Sequence, residues 1–198
     1  MGMILGFAGW LAKTRDQGRR IALLGIHLGD YQIEKHLETL TEGYLRALSE
    51  EDDARRQQIW DLMRATEQSL ASQFERFAAS FATVDEADAR VSTIPVALPF
   101  AAHWLPAASF DLRKALAIHA RGISRAVEDA SQGSARAQAF TLLAELFLMQ
   151  HTCHWFCKSR TVASARMLAR HKTSYHQLVE SVGLATRASY CDLVGKKS

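Results

Sequence analysis

The chain has 198 residues, 48% of them hydrophobic and 23% charged, with 11 Gly, 3 Pro and 3 Cys. That composition excludes a disordered chain, a collagen-like fibre and a disulfide scaffold, and the length suits one domain with a core that needs no staples. The formal charge of +3 hides an asymmetry: residues 1–157 carry 16 basic and 19 acidic side chains, residues 158–198 carry 8 and 2. A basic end of this kind attracts nucleic acid, an anionic surface or an acidic partner.

The opening run MGMILGFAGWLAK is apolar but lacks the positive n-region of a signal peptide. It is also shorter than the roughly 20 apolar residues of a membrane span. Integral membrane insertion is not expected, and Ile4, Leu5, Phe7, Ala8 and Leu11 read as a turn of a short helix docking on the core. Next, Ile33, Leu37, Leu40, Tyr44 and Leu48 recur at helical spacing and give residues 20–48 one apolar stripe, weakened in its first half by Gly25 and Gly29. Ser49 reads as an N-cap ahead of the acidic first turn Glu50, Glu51, Asp52 and Asp53.

The clearest element follows over 50–83. Ile59, Met63, Thr66, Leu70, Phe74, Phe77 and Phe81 make a continuous seam that suits antiparallel packing or a short coiled coil. At about 1.5 Å per residue this helix approaches 50 Å, a length that points to a projecting end or a dimer interface. All 3 prolines, Pro95, Pro99 and Pro106, fall in the next stretch, which is apolar yet cannot be a regular helix. Such a segment packs over the core or offers surface to a partner.

Ser109 is placed to cap a helix whose buried face is Leu112, Leu116, His119, Ile123, Val127 and Ala130. A turn at 131–134 then leads to a helix over 135–171. Its run Phe140–Met149 is apolar on all sides, the mark of a helix buried at the centre of a bundle. The tail reads as a short helix from Tyr175, a stop at a left-handed Gly183, and a second short helix after Thr186. Together these elements describe one all-α domain over 1–198, an irregular bundle of about six or seven helices around Phe140–Cys157. An N-terminal hairpin region (1–90), an apolar connector (91–108) and a C-terminal half (109–198) divide it.

Reactive side chains are densest at His151, Cys153, His154 and Cys157. At roughly 100° per residue, Cys153, His154 and Cys157 share one helix face and His151 falls just outside it. Thiolate and imidazole are ligands that zinc or iron would take, although the spacing is not that of a zinc finger or ribbon. The order also lacks the haem-attachment pattern. The two cysteines are four apart and the total is odd, so they do not form a disulfide framework; a reducing, cytoplasmic setting is expected.

Glu145 stands inside the apolar run, where burial would raise its pKa unless a neighbour bonds it. No Glu-x-x-His occurs, so the di-iron bundle signature is missing. His27 and His119 lie on apolar faces and read as core residues with one hydrogen bond each, haem ligation being the alternative. The tail resembles a helix-turn-helix only in part: Arg187 would open the second helix, but Ser189 and Asp192 stand where apolar anchors belong. Phosphate-loop, nucleophile-elbow and zincin motifs do not occur.

Three expectations follow. First is a non-enzymatic interaction, adaptor or regulatory module, with no cofactor. It would bind a protein partner or a second copy of itself through Met63, Leu70, Phe74, Phe77 and Phe81, joined by Pro95, Pro99 and Trp104 of the connector. Second is nucleic-acid binding through Arg166, Arg170, Lys172 and Arg187. Third is a zinc, iron or haem bundle held by His151, Cys153, His154 and Cys157.

Overall fold

A computed structural model describes residues 2–95, 106–128 and 134–195, excepting the side chains of 2–9 and 106. The fold is all-α. In chain order the described elements are α1 (Gly2–Leu28), α2 (Ile33–Ser49), α3 (Asp53–Phe81), α4 (Glu86–Ala89), β1 (Arg90–Ser92) and β2 (Ser109–Asp111). They continue with α5 (Leu112–Glu128), α6 (Ala135–Cys157), α7 (Arg160–His171), α8 (Tyr175–Ser181) and α9 (Leu184–Leu193). No helix among the described residues is long and apolar enough to cross a membrane.

Local chemistry places the helix ends, and it moves several expected boundaries. The expected 20–48 helix is broken at Gly29–Asp30, so that α1 runs from Gly2 and α2 starts afresh at Ile33. Ser49 does not cap α3. Asp52 does, its carboxylate accepting from the Arg55 N–H at 2.9 Å. Ser109 is likewise no cap, because Ser109–Asp111 pairs antiparallel with Arg90–Ser92 in a register joining Val91 to Phe110. The expected 135–171 helix stops at Cys157, and Ser159 restarts it by accepting from the Val162 N–H. Gly183 is not left-handed. At φ −54° it is the N-cap of α9, and the left-handed cap is Lys172, at φ 54°, closing α7.

α2 and α3 form an antiparallel hairpin across which Ile33, Leu37, Leu40 and Tyr44 meet the α3 seam. This corrects the expected partner surface. Leu70, Phe74, Phe77 and Phe81 are each at most 1% exposed inside the chain's own core, and Met63 is half-buried against it. Phe77 packs against Phe74 and Phe81, and Phe81 meets Phe156 of α6 edge-on at 6.1 Å. A seam consumed by these rings has no face left for a second chain. At 29 residues, α3 runs about 43 Å and packs against both α2 and α5.

α6 occupies the centre as expected, bordered by α1, α2, α5, α7 and α8. Its near-complete enclosure follows from the all-round apolar run, in which Leu142, Leu146 and Leu148 are wholly buried; Phe140, near its start, is exposed. The β1–β2 pair gathers both ends of the proline-containing connector. Trp155 of α6 donates from its indole Nε1 to the Ser92 carbonyl at 2.8 Å and stacks edge-on with Phe110. Pro95 is exposed at its side chain, while its carbonyl accepts from the Thr161 hydroxyl at 2.7 Å. Pro99 and Trp104 lie outside the described residues.

Candidate ligand groove

Helix α6 sorts its reactive side chains onto two faces. His151 is wholly buried on one of them, where its Nε2 meets the Ser164 hydroxyl at 3.0 Å and its ring stacks on Tyr175 at 4.5 Å. Cys153, His154 and Cys157 line a groove on the other side, together with Met149 and Gln150. The four expected metal ligands are thus split between two environments. Among the described residues no group of three or more His, Cys, Asp or Glu side chains is placed to hold a metal ion.

The groove runs lengthwise between α1 and α6. Ile21, Leu24, Gly25 and Leu28 form one wall, Ile33 and Leu37 of α2 close one side, and Phe74 and Phe77 of α3 provide the floor. Its volume is about 400 Å³, within the range of small-molecule sites. Residues 21–28 and 149–157 each cover about 10–12 Å along their helices, which sets its length. The two helices run in opposite senses here: Lys158, at the α6 end of the groove, donates to Gln17 of α1 at 3.0 Å. Glu34 borders the other end, by the α1–α2 turn.

Charge along the groove is uneven. Lys158 and Arg166 line it, Arg170 lies close enough to act on His154, and none of the three cations makes an ion pair among the described residues. Burial, helped by the charges of Arg166 and Arg170, pushes His154 down to about 4, so its imidazole is neutral at physiological pH. On the groove side of α6, His154 Nδ1 and Gln150 Oε1 are buried and have no hydrogen-bond partner among the described residues. The sulfurs are not activated. Burial raises both thiols, Cys157 to about 11, and Cys153 Sγ rests 3.9 Å from Met149 Sδ.

A second, more open depression of about 580 Å³ lies between α3 and α5. Its carboxylates are already engaged: Glu67 accepts from the Tyr44 hydroxyl at 2.5 Å and Glu75 from the Ser124 hydroxyl at 2.6 Å. It is a polar surface on which Glu67 and Glu75 are both engaged.

The other singled-out residues are structural. His27 Nδ1 meets Ser80 Oγ at 2.8 Å, and the ring packs edge-on against Phe81. His119 is wholly buried; its Nε2 meets the Thr152 hydroxyl at 2.9 Å, and Thr152 in turn meets Tyr190 at 3.1 Å. Glu145 is 1% exposed and accepts from a backbone group, the Gly183 N–H at 3.0 Å, at the N-terminus of α9, with the Thr186 hydroxyl beside it. A carboxylate from another helix therefore caps α9, whose own N-cap residue has no side chain to do so. Gly122 of α5 leaves the room for this. A Cβ there would come within 2.5 Å of Glu145 Oε2 and 2.4 Å of Thr186 Oγ1. Gly122→Ala is expected to destabilise the fold by about 1–3 kcal/mol through this overpacking, checked by the urea midpoint.

The four basic residues read for nucleic acid do not form one surface. Arg166, Arg170 and Lys172 are exposed on or just after α7, whereas Arg187 is half-buried on α9. The N-terminus of α9, where a recognition helix would meet a phosphate, is already held by Glu145. Sequence reasoning missed Gln150, Lys158 and the whole α1 wall. Gln150 shares a helix face with Cys153 and Cys157, a signal that was there to be used; Lys158 stands just past the end of α6, and the α1 wall is a tertiary contact with no local signal. Compared with known proteins, the chain matches no family model, no curated protein and no solved structure.

Proposed function

We propose that the chain is a helical binding module that works through the α1–α6 groove. What supports this reading is a preformed apolar cavity of about 400 Å³ carrying a few convergent polar groups on one wall. The expected seam on α3 is not a separate partner surface: the core uses it, and Phe74 and Phe77 meet the groove only as its floor. The groove's thiols are protonated and its imidazole neutral, an environment suited to holding a ligand rather than attacking one.

The test uses Nile red, a neutral apolar dye, titrated into the full chain and read by fluorescence. Saturable binding of one dye per chain is expected. Gly25 borders the groove on the exposed side of α1, and a Cβ built on it meets nothing within 4 Å, so Gly25→Trp sets a large side chain at the mouth of the cavity. That variant is expected to keep its fold by circular dichroism and to bind the dye about tenfold more weakly or worse. Absence of saturable binding to the unaltered chain, or equal binding by a folded Gly25→Trp, would overturn the reading.

A further inference from the structure

From the distribution of charge along the groove we infer that its ligand is a single-chain amphiphile with an anionic head, the head lying beside His154 between Lys158 and Arg166 and the tail running toward Leu28. This rests on the binding reading above and adds the ligand's chemistry and direction. Three observations fix the polarity. The floor and the α1 wall are aliphatic and aromatic, so a hydrocarbon chain gains by entering. The cations are confined to the flank formed by α7 and the C-terminal end of α6, and no carboxylate of the described residues neutralises them. The one acidic lining residue, Glu34, borders the α1–α2 turn and its charge reaches as far as Cys153, which leaves the Lys158–Arg166 side as the place where an anion is least repelled.

The polar atoms agree with that placement. His154 Nδ1 is buried without a partner among the described residues, on the same wall as the cations, and can donate to a head-group oxygen in the Nδ1–H tautomer. Lys158 spends one of its donors on Gln17 and keeps two. Arg166 offers a fork suited to a planar carboxylate. A cationic head in the same place would be repelled, and a neutral head would accept these hydrogen bonds without the charge that strengthens them.

Dodecanoate and dodecanol present the same tail with and without the charge. Each is titrated, below its micelle concentration and at low salt, into the unaltered chain and into the double variant Lys158→Gln/Arg166→Gln, with binding read by calorimetry. Both substituted residues are exposed, so the variant is expected to retain its circular dichroism and thermal midpoint. The expected result is about tenfold or greater preference of the unaltered chain for dodecanoate, shrinking to near parity in the variant and with added salt. Equal binding of the two amphiphiles, or a preference that survives in the variant, would overturn the anionic head while leaving the groove as a binding site. Failure of both amphiphiles and of Nile red to bind the unaltered chain would remove the groove reading together with this one.

Discussion

Phe81→Ala is expected to lower the stability of the chain by about 3–5 kcal/mol, a large part of the 5–15 kcal/mol typical of a domain. Phe81 is wholly buried where three elements meet: it touches His27 of α1 at 5.4 Å, Phe77 of its own helix at 6.2 Å and Phe156 of α6 at 6.1 Å. Truncation removes the transfer free energy of a ring and leaves a cavity whose walls belong to three helices, none able to collapse without shifting the others. The measurement is urea denaturation, with a lower midpoint and an unchanged slope. The same variant separates a core seam from a partner surface. If the α3 seam served an interface, Phe81→Ala would alter association by sedimentation and leave the urea midpoint nearly where it was.

How much of this was legible follows from the range of each interaction. Helical periodicity reports burial, so the faces of α2 and α5 and the central place of α6 could be read directly: Ile33, Leu37, Leu40, Tyr44, Leu112, Leu116, His119 and Ile123 are all buried. Periodicity does not say what a face packs against, which is why the α3 seam looked available to a partner until α2 and α6 were seen to cover it. Short-range boundary signals were ambiguous for a similar reason. Ser49, Asp52 and Ser109 all have cap chemistry, and only the backbone conformation chooses Asp52. The strands β1 and β2 have three residues each, too few for alternation to register.

The candidate site was half legible. The helical angle that puts Cys153, His154 and Cys157 on one face is a property of α6 alone and held in the structure. What lies opposite that face is set by α1 and α2, more than 100 residues away in the chain, and nothing local to α6 could announce it. Seen without those walls, thiols and imidazole suggest a metal. Seen with Leu24, Leu28 and Phe77 across from them, they are the polar edge of an apolar groove. Glu145 shows the same limit: its place in an apolar run foretold a perturbed carboxylate, but not that its partner would be a helix N-terminus.

Glu145→Gln is expected to change the shape of the stability–pH curve, and the sign can be worked through group by group. Burial raises the Glu145 carboxyl to about 7, opposed in part by the Thr186 hydroxyl, the Gly183 N–H and the Arg125 charge. Between the unfolded value of 4.5 and about 7 the folded chain holds the proton more tightly, so this group's contribution is present at low pH and is lost as pH rises through that window. The buried histidines work the other way. Burial lowers His119 to about 3 and His154 to about 4, so their contribution is present above 6.5 and is lost as pH falls toward those values. Between about 4.5 and 6.5 the one carboxyl offsets about half of the rise that the two histidines produce, so the curve of the unaltered chain climbs less steeply. Glutamine keeps a carbonyl to accept from Gly183 but cannot ionise. The variant is therefore expected to follow the histidine limb, opposed by Glu67, whose carboxyl burial also raises: its stability climbs more steeply toward pH 6.5 and, relative to pH 5, exceeds that of the unaltered chain at pH 8 by about 2–3 kcal/mol. Urea midpoints at pH 5, 6.5 and 8 measure this directly. Parallel curves would mean that Glu145 is already ionised at pH 5 and that the N-terminus of α9, with Gly183 and Thr186, offsets the whole cost of burying its charge.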